Sequence, residues 1–248
     1  MSQAFVIGNG ESRKIYPITE LGPRGMMYGC NAVYRDYPTL CHKLFAVNDD
    51  MYTELAEAKQ NNIIPHNIQL YNKDNIVNWD FILPGDYAKD HARMWHGEKS
   101  TKKGTVVKTI DHSKSRGSGV SAVLQAAHDG HKQIFLVGFD IIGSAQWSLS
   151  AESISRTQNN IYKNTKNYPP RKTMKAYLKF EWCWQLRQIA RKYKDTQFYY
   201  INRIEVLENV FILHEFMRNV KNWQCGTYAD LKRVNDYKPI KEIRWKRY

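Results

Sequence analysis

Long apolar runs are missing from this sequence. None reaches the ~18 to 20 residues that a membrane-spanning helix needs, so no membrane span is expected. Cysteine is scarce and scattered: Cys30, Cys41, Cys183 and Cys225 form no C-x-x-C pair. That argues against metal ligation and against a disulfide framework, and it fits a reducing, cytoplasmic compartment. The opening "MSQAFVIGNG" lacks a basic n-region and a long apolar h-region, so no secretory leader is expected. Neither the dinucleotide fingerprint G-x-G-x-x-G nor a Walker A sequence occurs, because position 13 is Arg where the third glycine would stand. This disfavours an NAD enzyme and a P-loop NTPase. Repeats are absent too, and no linker is rich enough in Gly, Pro or Ser to divide the chain.

What is present is enough apolar and aromatic side chain, 42% and 13%, to build a packed core in 248 residues. The formal net charge is +13, unevenly spread. Residues 1–160 carry +1, and residues 161–248 carry +12. A one-sided cationic region fits a polyanionic partner, DNA or an anionic glycan, as well as it fits a merely soluble basic face.

The first 140 residues alternate short apolar runs with helical stretches, the pattern of an α/β fold with a mainly parallel sheet. "AFVIG" (4–8), "MMYGC" (26–30) and "LFAVN" (44–48) read as strands, and "NWDFIL" as a weaker one. "DDMYTELAEAKQNN" reads as a helix capped by Asp49 or Asp50. From "NWDFIL" to Asp111 the chain is rich in Lys, His and Gly and reads as a long loop or lid. "SGVSAVLQAAHDGHKQIFLVGFD" reads as a capped helix, a turn at Asp129-Gly130 and a buried strand ending at Asp140. Residues 143–172 are polar and Asn-rich, a lid-like insertion without period. Residues 173–194 return to helix, "TQFYYIN" reads as the last strand, and "KPIKEIRWKRY" as an exposed tail. The expected organisation is one α/β domain over 1–248, with a core of 4–140 plus 173–202 and a basic extension over 203–248.

In open α/β sheets, ligands sit beyond the carboxyl ends of the strands. Asn9, Asn31 and Asn48 follow three successive predicted strands, and Asp140 follows a fourth. Asparagine both donates and accepts, which suits a nucleotide. Gly8 and Gly10 let backbone approach a ligand, and the amides after them can face a phosphate. Ser12 reads as a helix N-cap or a phosphate donor, with Arg13 as a cation nearby. Any one of these alone is an ordinary turn residue; three asparagines at three strand ends favour a site.

Four blocks in this order, "VIGNGESR", "YGCNAVYRD", "LFAVND" and "SGVSAVLQAAHDGHKQIFLVGFD", resemble the bacterial lipooligosaccharide sialyltransferases. The resemblance covers residues 5–140 in short pieces. It implies a single Rossmann-like α/β domain with a lid that transfers sialic acid from CMP-sialic acid, without an obligatory metal. By the same resemblance, Asn9 and Asn31 would hold the nucleotide and its phosphate, and Asn48 would approach ribose or base. Ser118 and Gly119 would border the cytidine pocket. Glu11 stands where the family has proline, and the family's histidine base has no counterpart, since no histidine lies between His131 and His214. Tyr162 and Tyr168 could play the family's tyrosine parts, and His112 could be a base, although a solvated loop histidine is the simpler reading.

The same blocks also resemble a Rossmann-like pterin pyrophosphokinase family, which implies ATP, magnesium and Asp140 with Asp49 or Asp50 as ligands. The reading adopted is a nucleotide-sugar-dependent glycosyltransferase whose donor is CMP-sialic acid or another nucleotide sugar. Departing phosphate would be met by Arg13 or Arg116, and the acceptor, modified DNA or an anionic glycan, would approach the basic side. The competing class is a nucleic-acid-binding or virion protein that keeps the fold without the chemistry. The short, basic, Asn- and Tyr-rich composition resembles that of bacteriophage proteins, for which the compartment would be the host cytoplasm.

Overall fold

The computed structural model describes residues 2–77, 117–141, 160–168, 176–207 and 211–235. Among them a seven-stranded sheet is formed by β1 (Gln3–Ile7), β2 (Met26–Cys30), β3 (Lys43–Phe45), β4 (Gln69–Tyr71), β5 (Gln133–Val137), β6 (Gln197–Asn202) and β7 (Trp223–Thr227). The strand order is β4-β3-β2-β1-β5-β6-β7, and every pairing is parallel. This is a Rossmann-like α/β sheet. Strand order reverses between β1 and β5, and all carboxyl ends lie along one edge.

The central strands are apolar throughout because both their faces are covered. Ala4, Phe5, Val6 and Ile7 of β1 and Ile134 to Val137 of β5 have no exposed surface. Across three strands Phe5, Phe135 and Tyr199 stack at ring separations of 5.1 and 4.7 Å. Burying such a side chain stabilises the fold by ~1.5 to 3 kcal/mol each. Helix α2 (Ser118–His128) packs on β1, β2, β3 and β5, and α3 (Ala176–Lys192) packs on α2. Cys183, Leu186, Ile189 and Ala190 of α3 are buried.

The connection from β1 to β2 is unusual for a parallel pair. It forms two 3-10 helices, Glu11–Ile15 and Ile18–Arg24, rather than an α-helix. Pro17 and Pro23 interrupt the segment, removing donors and clashing with the preceding turn of any α-helix. No long helix therefore begins at the Gly8-Asn9-Gly10 turn. After β2 comes a third 3-10 helix, Asn31–Arg35, and after β3 the helix α1 (Asp49–Gln60).

Several sequence expectations shift. The first strand begins one residue early and stops at Ile7, and the third spans only Lys43–Phe45. The N-cap of α1 is Asn48, whose side chain accepts from Asp50 N–H at 3.0 Å, not Asp49 or Asp50. The N-cap of α2 is Gly117, without a side-chain bond. "TQFYYIN" forms β6 but is not the last strand. Beyond it lie the short helices α4 (Ile204–Leu207) and α5 (Phe211–Met217), then β7 and α6 (Tyr228–Asn235). Residues 223–227 thus complete the sheet rather than belonging to an extension. "NWDFIL", the lid to Asp111, His112 and Arg116, and the basic tail lie outside the described residues.

Candidate functional site at the sheet switch point

Strand order reverses between β1 and β5, and sheets of this kind bind ligands outside the carboxyl ends of the strands at such a point. Parallel pairing places Asn9, Asn31, Asn48 and Asp140 along that same edge, as expected from their place after four strands. Their local geometry assigns them different work.

The two glycines of the first turn are needed for backbone packing. Gly8 N–H donates to Val137 O and Gly10 N–H to Gly138 O, both at 2.8 Å, so these two amides do not face a phosphate. A Cβ on Gly8 would stand 2.3 Å from Gly138 O, and one on Gly10 would stand 2.4 Å from Asp140 Cγ. Asp140 Oδ2 accepts from Ser12 N–H at 2.9 Å, and Oδ1 from Asn202 Nδ2 at 3.2 Å. Burial pushes the Asp140 carboxyl above the usual range, against those bonds and the nearby Arg203 charge. Ser12 is neither a cap nor an open phosphate donor. It is fully buried, and its Oγ accepts from Tyr228 O–H at 3.1 Å.

Arg13 is likewise turned inward, at 1% exposure. Its Nη2 donates to Asp36 Oδ2 at 2.7 Å and to Tyr162 Oη at 2.6 Å. The guanidinium lies over the rings of Tyr37 and Tyr162 at 5.3 and 5.5 Å. A cation that reads in sequence as a phosphate contact is here neutralised by a carboxylate.

Asn31 adopts φ +51°, a left-handed conformation that asparagine tolerates better than most residues. Asn31→Gly is therefore expected to keep or slightly raise stability, whereas Asn31→Ala should cost ~1 kcal/mol. Thermal melts of both variants check this; an Ala variant as stable as the Gly variant would mean that the left-handed turn is not needed. Asn48 is exposed and spends its side-chain oxygen on the cap. Ser118 Oγ accepts from Val47 N–H at 3.0 Å, tying the end of β3 to α2. Gly119 gives room to Phe139, whose Cε1 would lie 2.9 Å from an added Cβ.

The segment 160–168 completes the rim. Ile161 N–H donates to Asn9 O at 3.0 Å, and Asn160 bridges to Gly10. This brings Tyr162 and Tyr168 to the end of β1, with ring centroids 6.0 Å apart. Tyr162 O–H donates to Asp36 Oδ2 at 2.9 Å, so its proton is not aimed at a ligand. Tyr168 differs. Its oxygen accepts from Asn9 Nδ2 at 2.9 Å and meets the Ala32 backbone, and its own proton has no acceptor among the described residues. Burial pushes both phenols up, so they stay protonated.

Asn9 is 9% exposed, and its Oδ1 also lacks a partner among the described residues. Turning that amide over hands the Tyr168 proton to Asn9 and leaves an amide N–H in its place. In either orientation the pair keeps at least one unspent donor at the end of β1.

A buried anchor holds this segment in place. Glu54 of α1, 7% exposed, accepts from Tyr34 O–H at 2.6 Å and from Arg35 Nε and Nη2 at 2.8 Å each. Asn167 Nδ2 donates to it as well. Arg35 reaches on to Thr165 Oγ1 and Lys166 O. Sequence reasoning did not single out Tyr34, Arg35, Asp36 or Glu54, although the first three stand in the block "YGCNAVYRD". Among the described residues no three His, Cys, Asp or Glu side chains form a metal site, and Asp49 pairs with Lys73 rather than with Asp140. The two-carboxylate arrangement of the pyrophosphokinase reading thus has no support in these residues.

No protein-family model and no curated protein matches the chain. Among solved structures, the chain is similar to the sialyltransferase CstII from Campylobacter jejuni in complex with the substrate analogue CMP-3FNeuAc. The identity is 16% and the TM-score 0.41, over 81% of each chain. It is also similar to the same enzyme in complex with cytidine-5'-monophosphate, at 15% identity and TM-score 0.38, over 81% of this chain and 79% of that one.

Proposed function

We propose that the edge at the carboxyl ends of β1 and β5 binds a nucleotide sugar and that the protein transfers the sugar to an acceptor hydroxyl. The observation that carries this reading is the half-buried Asn9–Tyr168 pair at the end of β1, whose phenol proton has no acceptor among the described residues. Buried polar groups are almost always paired, so a donor left over at a strand end fits a ligand oxygen. A departing nucleotide phosphate supplies one, and a fixed donor in a dry site stabilises the charge that develops there. The motif resemblance to sialyltransferases makes CMP-sialic acid the first donor to test. Asn31 borders the same edge, and its side chain is the next contact. The +12 of residues 161–248 suits a polyanionic acceptor, DNA or an anionic glycan.

Tyr168→Phe tests the reading, because it removes one hydroxyl and keeps the ring beside Tyr162. Affinity for CMP, measured by calorimetry, should fall ~10- to 100-fold, the worth of a hydrogen bond to a charged group. The fold should lose only ~1 kcal/mol, from the unpaired Asn9. Equal affinity in parent and variant would show that Tyr168 is structural. A parent that binds none of CMP, UMP, GMP or ATP would favour a binding protein that keeps the fold without the chemistry.

A further inference from the structure

Transfer of a sugar to a hydroxyl needs a group to take the hydroxyl proton, and, resting on the transfer reading above, we propose that Asp36 is that base. Asp36 follows the 3-10 helix Asn31–Arg35 that leaves β2, the strand beside β1. One of its oxygens, Oδ2, is fixed by two buried groups, the Arg13 guanidinium at 2.7 Å and the Tyr162 hydroxyl at 2.9 Å. Those groups are 1% and 5% exposed, whereas the Asp36 side chain is 44% exposed. The other oxygen, Oδ1, takes no hydrogen bond from any described residue. A carboxylate held by one oxygen and open at the other has the form of an oriented proton acceptor.

Three other carboxylates near this edge are otherwise engaged. Asp140 lies beneath Gly10 and accepts from Ser12 and Asn202. Glu54 accepts from Tyr34, Arg35 and Asn167, and Asp49 pairs with Lys73. Glu11 is exposed, and no described residue holds it. Of the described histidines, His42 accepts Met27 N–H through Nδ1, and His131 contacts Tyr28 just before β5 begins, at the far end of that strand from the candidate site. His214 bonds Leu207 O.

In the step proposed, the acceptor oxygen attacks the anomeric carbon of the donor. The carbon–oxygen bond to the nucleotide phosphate breaks, and its electron pair leaves with the phosphate, against the Asn9–Tyr168 donor. The acceptor proton passes to Asp36 Oδ1 and later to solvent. Arg13 and Tyr162 act as positioning groups, setting the direction of the carboxylate without touching substrate.

Nucleotide release from CMP-sialic acid, UDP-glucose and GDP-mannose, with water or a glycan acceptor, tests this on the full chain. Asp36→Asn keeps an oxygen to accept from Arg13 and loses the base. Its kcat should fall about 10²- to 10⁴-fold, the usual contribution of a positioned base, with CMP affinity within about twofold of the parent. A salt bridge that only neutralises Arg13 would lower Tm in Asp36→Asn and leave kcat unchanged, which overturns the proposal. So would loss of activity in Glu11→Gln with Asp36→Asn unaffected. A parent that releases nucleotide from none of the donors overturns the transfer reading and the base together. An active parent matched by Asp36→Asn overturns the base alone.

Discussion

Gly10→Ala is expected to destabilise the protein by ~3 kcal/mol, the upper end of what overpacking a tight site costs. The added methyl would lie 2.4 Å from Asp140 Cγ, 2.6 Å from Gly138 O and 2.7 Å from Asp140 Oδ1. None of these neighbours yields easily. Gly138 O is backbone and already accepts Gly10 N–H, and Asp140 is tied to Ser12 N–H and Asn202. The strain falls on the junction of β1 and β5, so nucleotide affinity should fall with stability. Urea denaturation gives the result directly. A loss under ~0.5 kcal/mol, the range of an ordinary surface change, would mean that the two turns are not packed against each other.

Glu54→Ala should cost about as much by another route, ~3 kcal/mol, because it removes the carboxylate and leaves its donors behind. The Tyr34 hydroxyl and Arg35 Nε would lose their acceptor, and Arg35 Nη2 and Asn167 Nδ2 would keep only Lys166 O and Asp50 O. Asn167 and the Arg35 contacts to Thr165 and Lys166 hold the segment that carries Tyr168. The variant should therefore bind CMP more weakly than its loss of stability alone explains. The parent should show the same dependence in its pH profile. Burial raises the Glu54 carboxyl, but the bonds from Tyr34, Arg35 and Asn167 outweigh it and hold the group below its ordinary value. A carboxylate with a depressed folded value stabilises fully above its unfolded value, near 4.5 for glutamate, and less as the pH falls through the folded value. Melts of parent and variant at neutral pH and near pH 3 should converge at the acid end. Parallel curves would place the stabilisation elsewhere.

The sheet was largely legible because its central strands are apolar on both faces, which leaves short unbroken runs such as "AFVI" and "QIFLV" between turn residues. Its edges were not. β4 is three residues with a polar, exposed start, and β7, "WQCGT", mixes polar and apolar side chains without a pattern that separates it from a loop. The strand-end asparagines do share one edge of the sheet, as their place after parallel strands implies, but their individual roles were not legible. Asn48 is a cap, and Asn31 occupies a left-handed turn, local tasks that asparagine performs with or without a ligand.

The partners that matter most are far apart in sequence. Asn9 meets Tyr168, and Arg13 meets Asp36 and Tyr162, contacts that no local spacing announces. Arg13 itself misleads in sequence, since a cation after a Gly-Asn-Gly turn suggests an exposed phosphate contact. Only the surrounding tyrosines and Asp36 make its burial tolerable.

A crystal structure with CMP bound is the most direct test of the nucleotide site. Expected is density between the carboxyl ends of β1 and β5, with a phosphate oxygen within hydrogen-bond distance of Tyr168 Oη or the Asn9 amide. A nucleotide seated away from that edge, or an edge still empty at a CMP concentration that saturates the protein in solution, would contradict it.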